Sequence, residues 1–84
     1  MKFEITGKRY GTFTSVTGDT VVFRTLYVKQ ALKPVNGAES DGYISEKIGV
    51  TRCLTDEDMR LLSVGDTVEI SFNMFGKAER VELC

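Results

Sequence analysis

Apolar and polar residues alternate along most of this chain, with the period of two that marks strands having one covered face. Phe3 and Ile5 flank Glu4, and after Gly7 a Thr- and aromatic-rich run over 8–16 reads as strand, with Gly11 marking a bend or bulge. Thr17-Gly18-Asp19 is a turn, and 20–30 is the clearest strand. There Val22, Leu26 and Val28 share one parity with Arg24, while Val21, Phe23, Thr25, Tyr27 and Lys29 share the other. The aliphatic parity suits a core. Two aromatics beside a lysine suit an outer platform, although aromatic rings more often pack inside. Residues 31–42 carry Pro34, two glycines, Asn36, Ser40 and Asp41, and are expected to form a flexible arm or loop. The third strand is expected over 43–54, with Ile44, Ile48, Val50 and Leu54 on one face and Tyr43 and Lys47 on the other.

The pattern changes after Leu54. Thr55 is placed to cap a helix, and Asp58 stands three residues on, where the acid of a capping box belongs. Asp56, Glu57 and Asp58 put negative charge in the first turn, where the helix dipole favours it. Met59, Leu61 and Leu62 supply an apolar side, and Gly65 closes the segment. So short a helix does not hold alone in water and must plug other structure. Alternation then resumes with Val68, Ile70, Phe72 and Met74. Phe75-Gly76-Lys77 makes a hairpin turn, and the chain returns with Val81 and Leu83 facing inward and Glu79 near an open end.

Three strands, a short helix and two strands match an all-β domain spanning 1–84: a five-stranded Greek-key OB-like barrel with one short helix between strands 3 and 4. An SH3-like barrel is the chief rival. Within the OB fold, the chain resembles the single-stranded DNA-binding proteins of filamentous phages and related mobile elements. Phe13 in the first long strand, Leu26-Tyr27-Val28 in the second, and the hairpin from Val68 to Leu83 with Phe75 at its tip carry the resemblance. It implies a small homodimer that binds single-stranded DNA; the residues themselves leave RNA open as the ligand, and free thiols without a leader lead us to expect a cytoplasmic protein with no small-molecule cofactor.

Charge changes this picture in one respect. The net charge is −1. However, residues 1–33 carry +4 and residues 34–84 carry −5, so a basic face can coexist with an acidic remainder. Single strands are held by cations on phosphates and by aromatic rings on bases. Phe23, Tyr27 and Tyr43 can supply rings, Lys29, Lys47 and Lys77 can supply cations, and Phe75 adds a ring at the hairpin tip. These seven are the candidate nucleic-acid-binding residues. The alternative is a protein-interaction or structural subunit, in which Phe23, Tyr27 and Phe75 meet another chain.

Catalysis has little support. There is no histidine, and Asp56–Asp58 is explained by capping. Two cysteines without C-x-x-C spacing read as free thiols and leave metal binding without a motif; Cys53 suits a small buried role. No leader or membrane-spanning stretch is expected.

Overall fold

The computed structural model describes residues 1–33 and 35–84. Five strands, β1 (Lys2–Thr14), β2 (Thr20–Ala31), β3 (Tyr43–Gly49), β4 (Thr67–Phe72) and β5 (Ala78–Leu83), form one antiparallel sheet ordered β3-β2-β1-β4-β5. Helix α1 (Asp56–Leu61) lies between β3 and β4 in the chain. The chain is thus mostly β with the short helix where the sequence places it. None of the described helices is long and apolar enough to cross a membrane.

Strand β1 joins the sheet's two halves. Its first residues pair with β4 (Phe3 opposite Val68), and the rest pair with β2 (Ile5 opposite Val28, Gly7 opposite Tyr27). Between those last two pairs the register shifts, leaving Thr6 as an extra residue. A bulge of this kind bends the strand and switches its parity. Phe3 and Ile5 therefore face the same side as Lys8 and Tyr10, while Gly7, Arg9, Gly11 and Phe13 turn to the other.

The core is Phe3, Ile5, Leu26, Val28, Val50, Leu54, Met59, Leu62, Val68 and Ile70. The aliphatic parity of β2 is its inner face: Leu26 and Val28 are fully buried. Val22 and Arg24 share that parity but lie beyond the core's edge. Arg24 Nε meets Asp56 Oδ1 at 2.8 Å and its Nη1 donates to Thr51 O, tying β2 to the first turn of α1 and to the loop before it.

Helix α1 forms through the expected capping box. Thr55 Oγ1 accepts from the Asp58 N–H at 3.2 Å, and Asp58 Oδ2 accepts from the Thr55 N–H at 2.9 Å. The Thr55 N–H on its carboxylate, and then the Thr55 side chain beside it, hold the Asp58 carboxyl below its usual pKa. At the other end, Lys8 reaches across from β1. Its Nζ donates to Met59 O at 2.7 Å and Leu62 O at 2.5 Å, satisfying carbonyls that a helix leaves unpaired. Met59, fully buried, is the plug.

Three expectations are corrected. The third strand ends at Gly49, not Leu54. Residues 50–54 turn inward, with the Cys53 and Leu54 N–H groups donating to Val50 O, which buries Val50 and Leu54. A spacing of four suits one side of a helical turn as well as one face of a strand, so alternation alone does not separate them. Met74, read as the last apolar position of its strand, falls in the turn after Phe72 and is 90% exposed, while Leu83 keeps the inward parity opposite Val68 at the sheet's margin.

The third correction concerns closure. β3 and β5 are the sheet's edges, and among the described residues no ladder joins them. An open groove of about 540 Å³ separates them, and Lys47, Arg52 and Lys77 line it against one acid, Glu46. Three like charges along the seam oppose zipping. In the 31–42 segment, Leu32 N–H donates to Gly42 O and Val35 bridges Ala38. Pro34, which the sequence reading places in that arm, lies outside the described residues.

Candidate functional site

The outward face of β1–β3 follows from the ladder register. Tyr27 on β2 stands between Gly7 of β1 and Lys47 of β3; Thr25 stands between Arg9 and Gly49; Lys29 pairs with Ser45, and Ala31 with Tyr43. Toward the β1–β2 hairpin, Phe23 pairs with Gly11 and Val21 with Phe13. Every one of these residues lies opposite the Leu26–Val28 core side. The face therefore carries four aromatics, Phe13, Phe23, Tyr27 and Tyr43, and three cations, Arg9, Lys29 and Lys47, with no acid among them.

Local packing fixes the rings. Gly7 and Gly11 leave room beside Tyr27 and Phe23: a Cβ at Gly7 would sit 3.6 Å from Tyr27 Cδ2, and one at Gly11 would sit 3.5 Å from Phe23 Cζ. The two rings thus lie across bare backbone, a packing that stabilises glycine in a sheet and keeps each ring close to the surface. Both are half-buried as a result. Phe13 meets Phe23 with centroids 6.1 Å apart. Lys29 Nζ stands 4.3 Å from the Tyr43 ring centroid, and the Arg9 guanidinium 6.0 Å from that of Tyr27. Tyr43 is 66% exposed. The hydroxyls of Thr6 and Ser45 join at 2.9 Å, so the bulge residue anchors β3 from the same side.

Past the bulge, the outer surface mixes its signs: Glu4 on β1, Glu69 on β4 and Glu82 on β5 stand among Lys2, Arg80 and the N-terminal amine. Glu69 is paired with the N-terminal amine at 2.9 Å, and Arg80 with Glu82. One surface is thus divided at Thr6 into a basic aromatic half and a half of mixed charge.

The structure brings together five of the seven predicted residues: Phe23, Tyr27, Lys29, Tyr43 and Lys47 share the basic half. Phe75 and Lys77 do not; they belong to the turn joining β4 to β5. There Asn73 Oδ1 accepts from the Phe75 and Lys77 N–H groups, and Gly76 takes φ 75°. Phe75 is left 78% exposed, as is its neighbour Met74 at 90%. Lys77 faces Lys47 across the groove, whose other walls include Phe3, Ile48 and Phe72.

Arg9 and Phe13 are the members of the face that sequence reasoning did not select as binding residues. Their signal was the repeat Gly7, Arg9, Gly11, Phe13, in which glycines hide the alternation. Lys8 and Arg24, counted in the basic front of the chain, are occupied by the helix end and by Asp56. Among the described residues no three His, Cys, Asp or Glu side chains are placed to hold a metal ion. Cys53 and Cys84 are free thiols. Cys53 is half-buried, and burial pushes its pKa up, which lowers its reactivity.

Comparison with known proteins returned no match: no family model, no curated protein and no solved structure aligns with the chain.

Proposed function

We propose that the chain is a non-catalytic binding protein for single-stranded nucleic acid, DNA or RNA, held across the outer face of β1–β3. The observation that carries this reading is the absence of any acid on a face with four aromatics and three cations, in a protein whose net charge is negative. Chance dispersal of charges for solubility favours mixed signs, as the half beyond Thr6 displays. Rings held close to the sheet surface suit base stacking, worth about 1–3 kcal/mol per base, and they tolerate any sequence. Ammonium and guanidinium groups beside the rings suit the phosphates between those bases.

The groove extends this path. Lys47 belongs to both the face and the seam, so a strand leaving Tyr27 passes toward Lys77 and Arg52. Phe75, exposed at the turn, is placed to cover it. We read the order β3-β2-β1-β4-β5 as a Greek-key OB-like barrel opened between β3 and β5. The face uses only β1–β3 and does not depend on closure.

Titration of a labelled single-stranded oligonucleotide over a salt series tests the proposal. Phosphate contacts by Arg9, Lys29 and Lys47 alone give a slope of log affinity on log salt of about −2. Adding Arg52 and Lys77 steepens it to about −3.5. Parallel DNA and RNA oligonucleotides distinguish the two ligands. Absence of binding at low salt overturns the proposal and leaves the protein-interaction reading.

A further inference from the structure

The free edge of β5 carries a self-complementary pattern, and we infer that it pairs antiparallel with the same edge of a second copy. This goes beyond the nucleic-acid reading and does not rest on it.

Two observations fix which peptide groups face outward. The Cys84 N–H donates to Thr67 O, and the Ile70 N–H donates to Met1 O on the opposite side of β4. In an antiparallel ladder, hydrogen-bonded and non-hydrogen-bonded pairs alternate. Thr67, Glu69 and Ser71 therefore bond to β5, through Cys84, Glu82 and Arg80, in the observed register. The peptide groups of Val81 and Leu83 point away from β4, to an edge with no partner strand among the described residues. Such a row of unpaired groups is a template for another strand.

A twofold pairing sets residues symmetrically about its axis. With the axis at Val81, the outward peptide groups of the two Val81 residues bond reciprocally. Arg80 of each copy then stands directly opposite Glu82 of the other, in the closely spaced non-hydrogen-bonded position. Centring on Arg80 sets arginine against arginine, and centring on Glu82 sets glutamate against glutamate. Only the Val81 register matches both the peptide directions and the charges.

The surroundings agree. Glu82 lies across the ladder from Glu69, a like-charge pair, and gains a second cation when a copy arrives. On the inner side, Leu83, 61% exposed, borders an open groove of about 280 Å³ with Leu61, Leu62 and Val81, and the incoming strand covers its margin. The other edge offers no equivalent. On β3, the outward peptide groups belong to Tyr43, Ser45, Lys47 and Gly49, since Leu32 N–H bonds to Gly42 O. A twofold axis there at Lys47 or Glu46 opposes like charges, and one at Ser45 pairs no charges at all.

Sedimentation equilibrium over a protein concentration series tests the pairing, with circular dichroism confirming that each variant is folded. The native chain dimerises reversibly. Arg80→Glu and Glu82→Arg are both at exposed positions, and each alone weakens self-association by about tenfold or more, because each puts two like-charge pairs across the ladder. An equimolar mixture of the two single variants regains dimer, since one supplies two acids and the other two bases. A chain with both substitutions regains it too. Three results overturn the inference: a native chain that stays monomeric throughout, single variants that dimerise as tightly as the native chain, or single variants that are monomeric and are not rescued by mixing.

Discussion

Replacing Tyr27 with leucine separates the two roles its ring can play. The ring lies across Gly7 on the outer face, with Arg9 beside it and Lys47 as its cross-strand neighbour. Leucine keeps an apolar cover over the glycine and removes the flat π surface. Little apolar area is lost from a half-buried position, so the stability cost is about 1 kcal/mol or less, the scale of one cross-strand pair. The loss of one stacking station costs about 1–3 kcal/mol of binding, or roughly 5- to 150-fold in dissociation constant. Thermal melting reads the first quantity and fluorescence anisotropy with a single-stranded oligonucleotide reads the second. A variant that melts like the native chain and binds at native affinity refutes the platform. A large loss of stability with affinity retained in the folded fraction shows instead that the ring serves the sheet alone.

Further expectations concern the scaffold. Lys8→Met strips the charged donor from Met59 O and Leu62 O and is expected to cost about 1.5–3 kcal/mol in a denaturant titration; an unchanged midpoint refutes the role of Lys8 at the helix end. Thr55→Ala removes the cap and should cost about 1 kcal/mol, read by the same titration. Asp58 binds its proton less readily when folded, so its contribution is complete above the ordinary carboxylate pKa and is lost as pH falls through the lowered folded value. The native chain should therefore lose more stability between neutral and acid pH than Asp58→Asn does, and equal losses contradict this. Lys29→Gln with Lys47→Gln should flatten the salt slope by about 1.4, two phosphate contacts' worth.

Much of the scaffold is legible before folding because it is local. The alternation of 20–30 marks its own inner face. Thr55 and Asp58 announce the helix start through bonds between residues three apart. Closure is not local: it depends on what β3, β5 and the chain beside them bring to a seam, and Lys47, Arg52 and Lys77 come to line one groove only once the sheet exists. The end of β3 is not legible in the alternation because Val50 and Leu54 satisfy two periods at once. For the candidate site, parity within β2 and β3 groups Phe23 with Tyr27 and Lys29, and Tyr43 with Lys47. What parity cannot show is that these two groups are neighbours, that the bulge at Thr6 turns Arg9 and Phe13 to join them, or that the resulting face excludes every acid. Those facts belong to the register.

Backbone NMR with stepwise addition of a single-stranded oligonucleotide addresses the central claim most directly. The account predicts amide shifts concentrated in residues 7–13, 23–29 and 43–49, extending to 75–77, with α1 and β5 quiet. Shifts centred on α1 or on the mixed-charge half of the surface, or no shifts at low salt, contradict it.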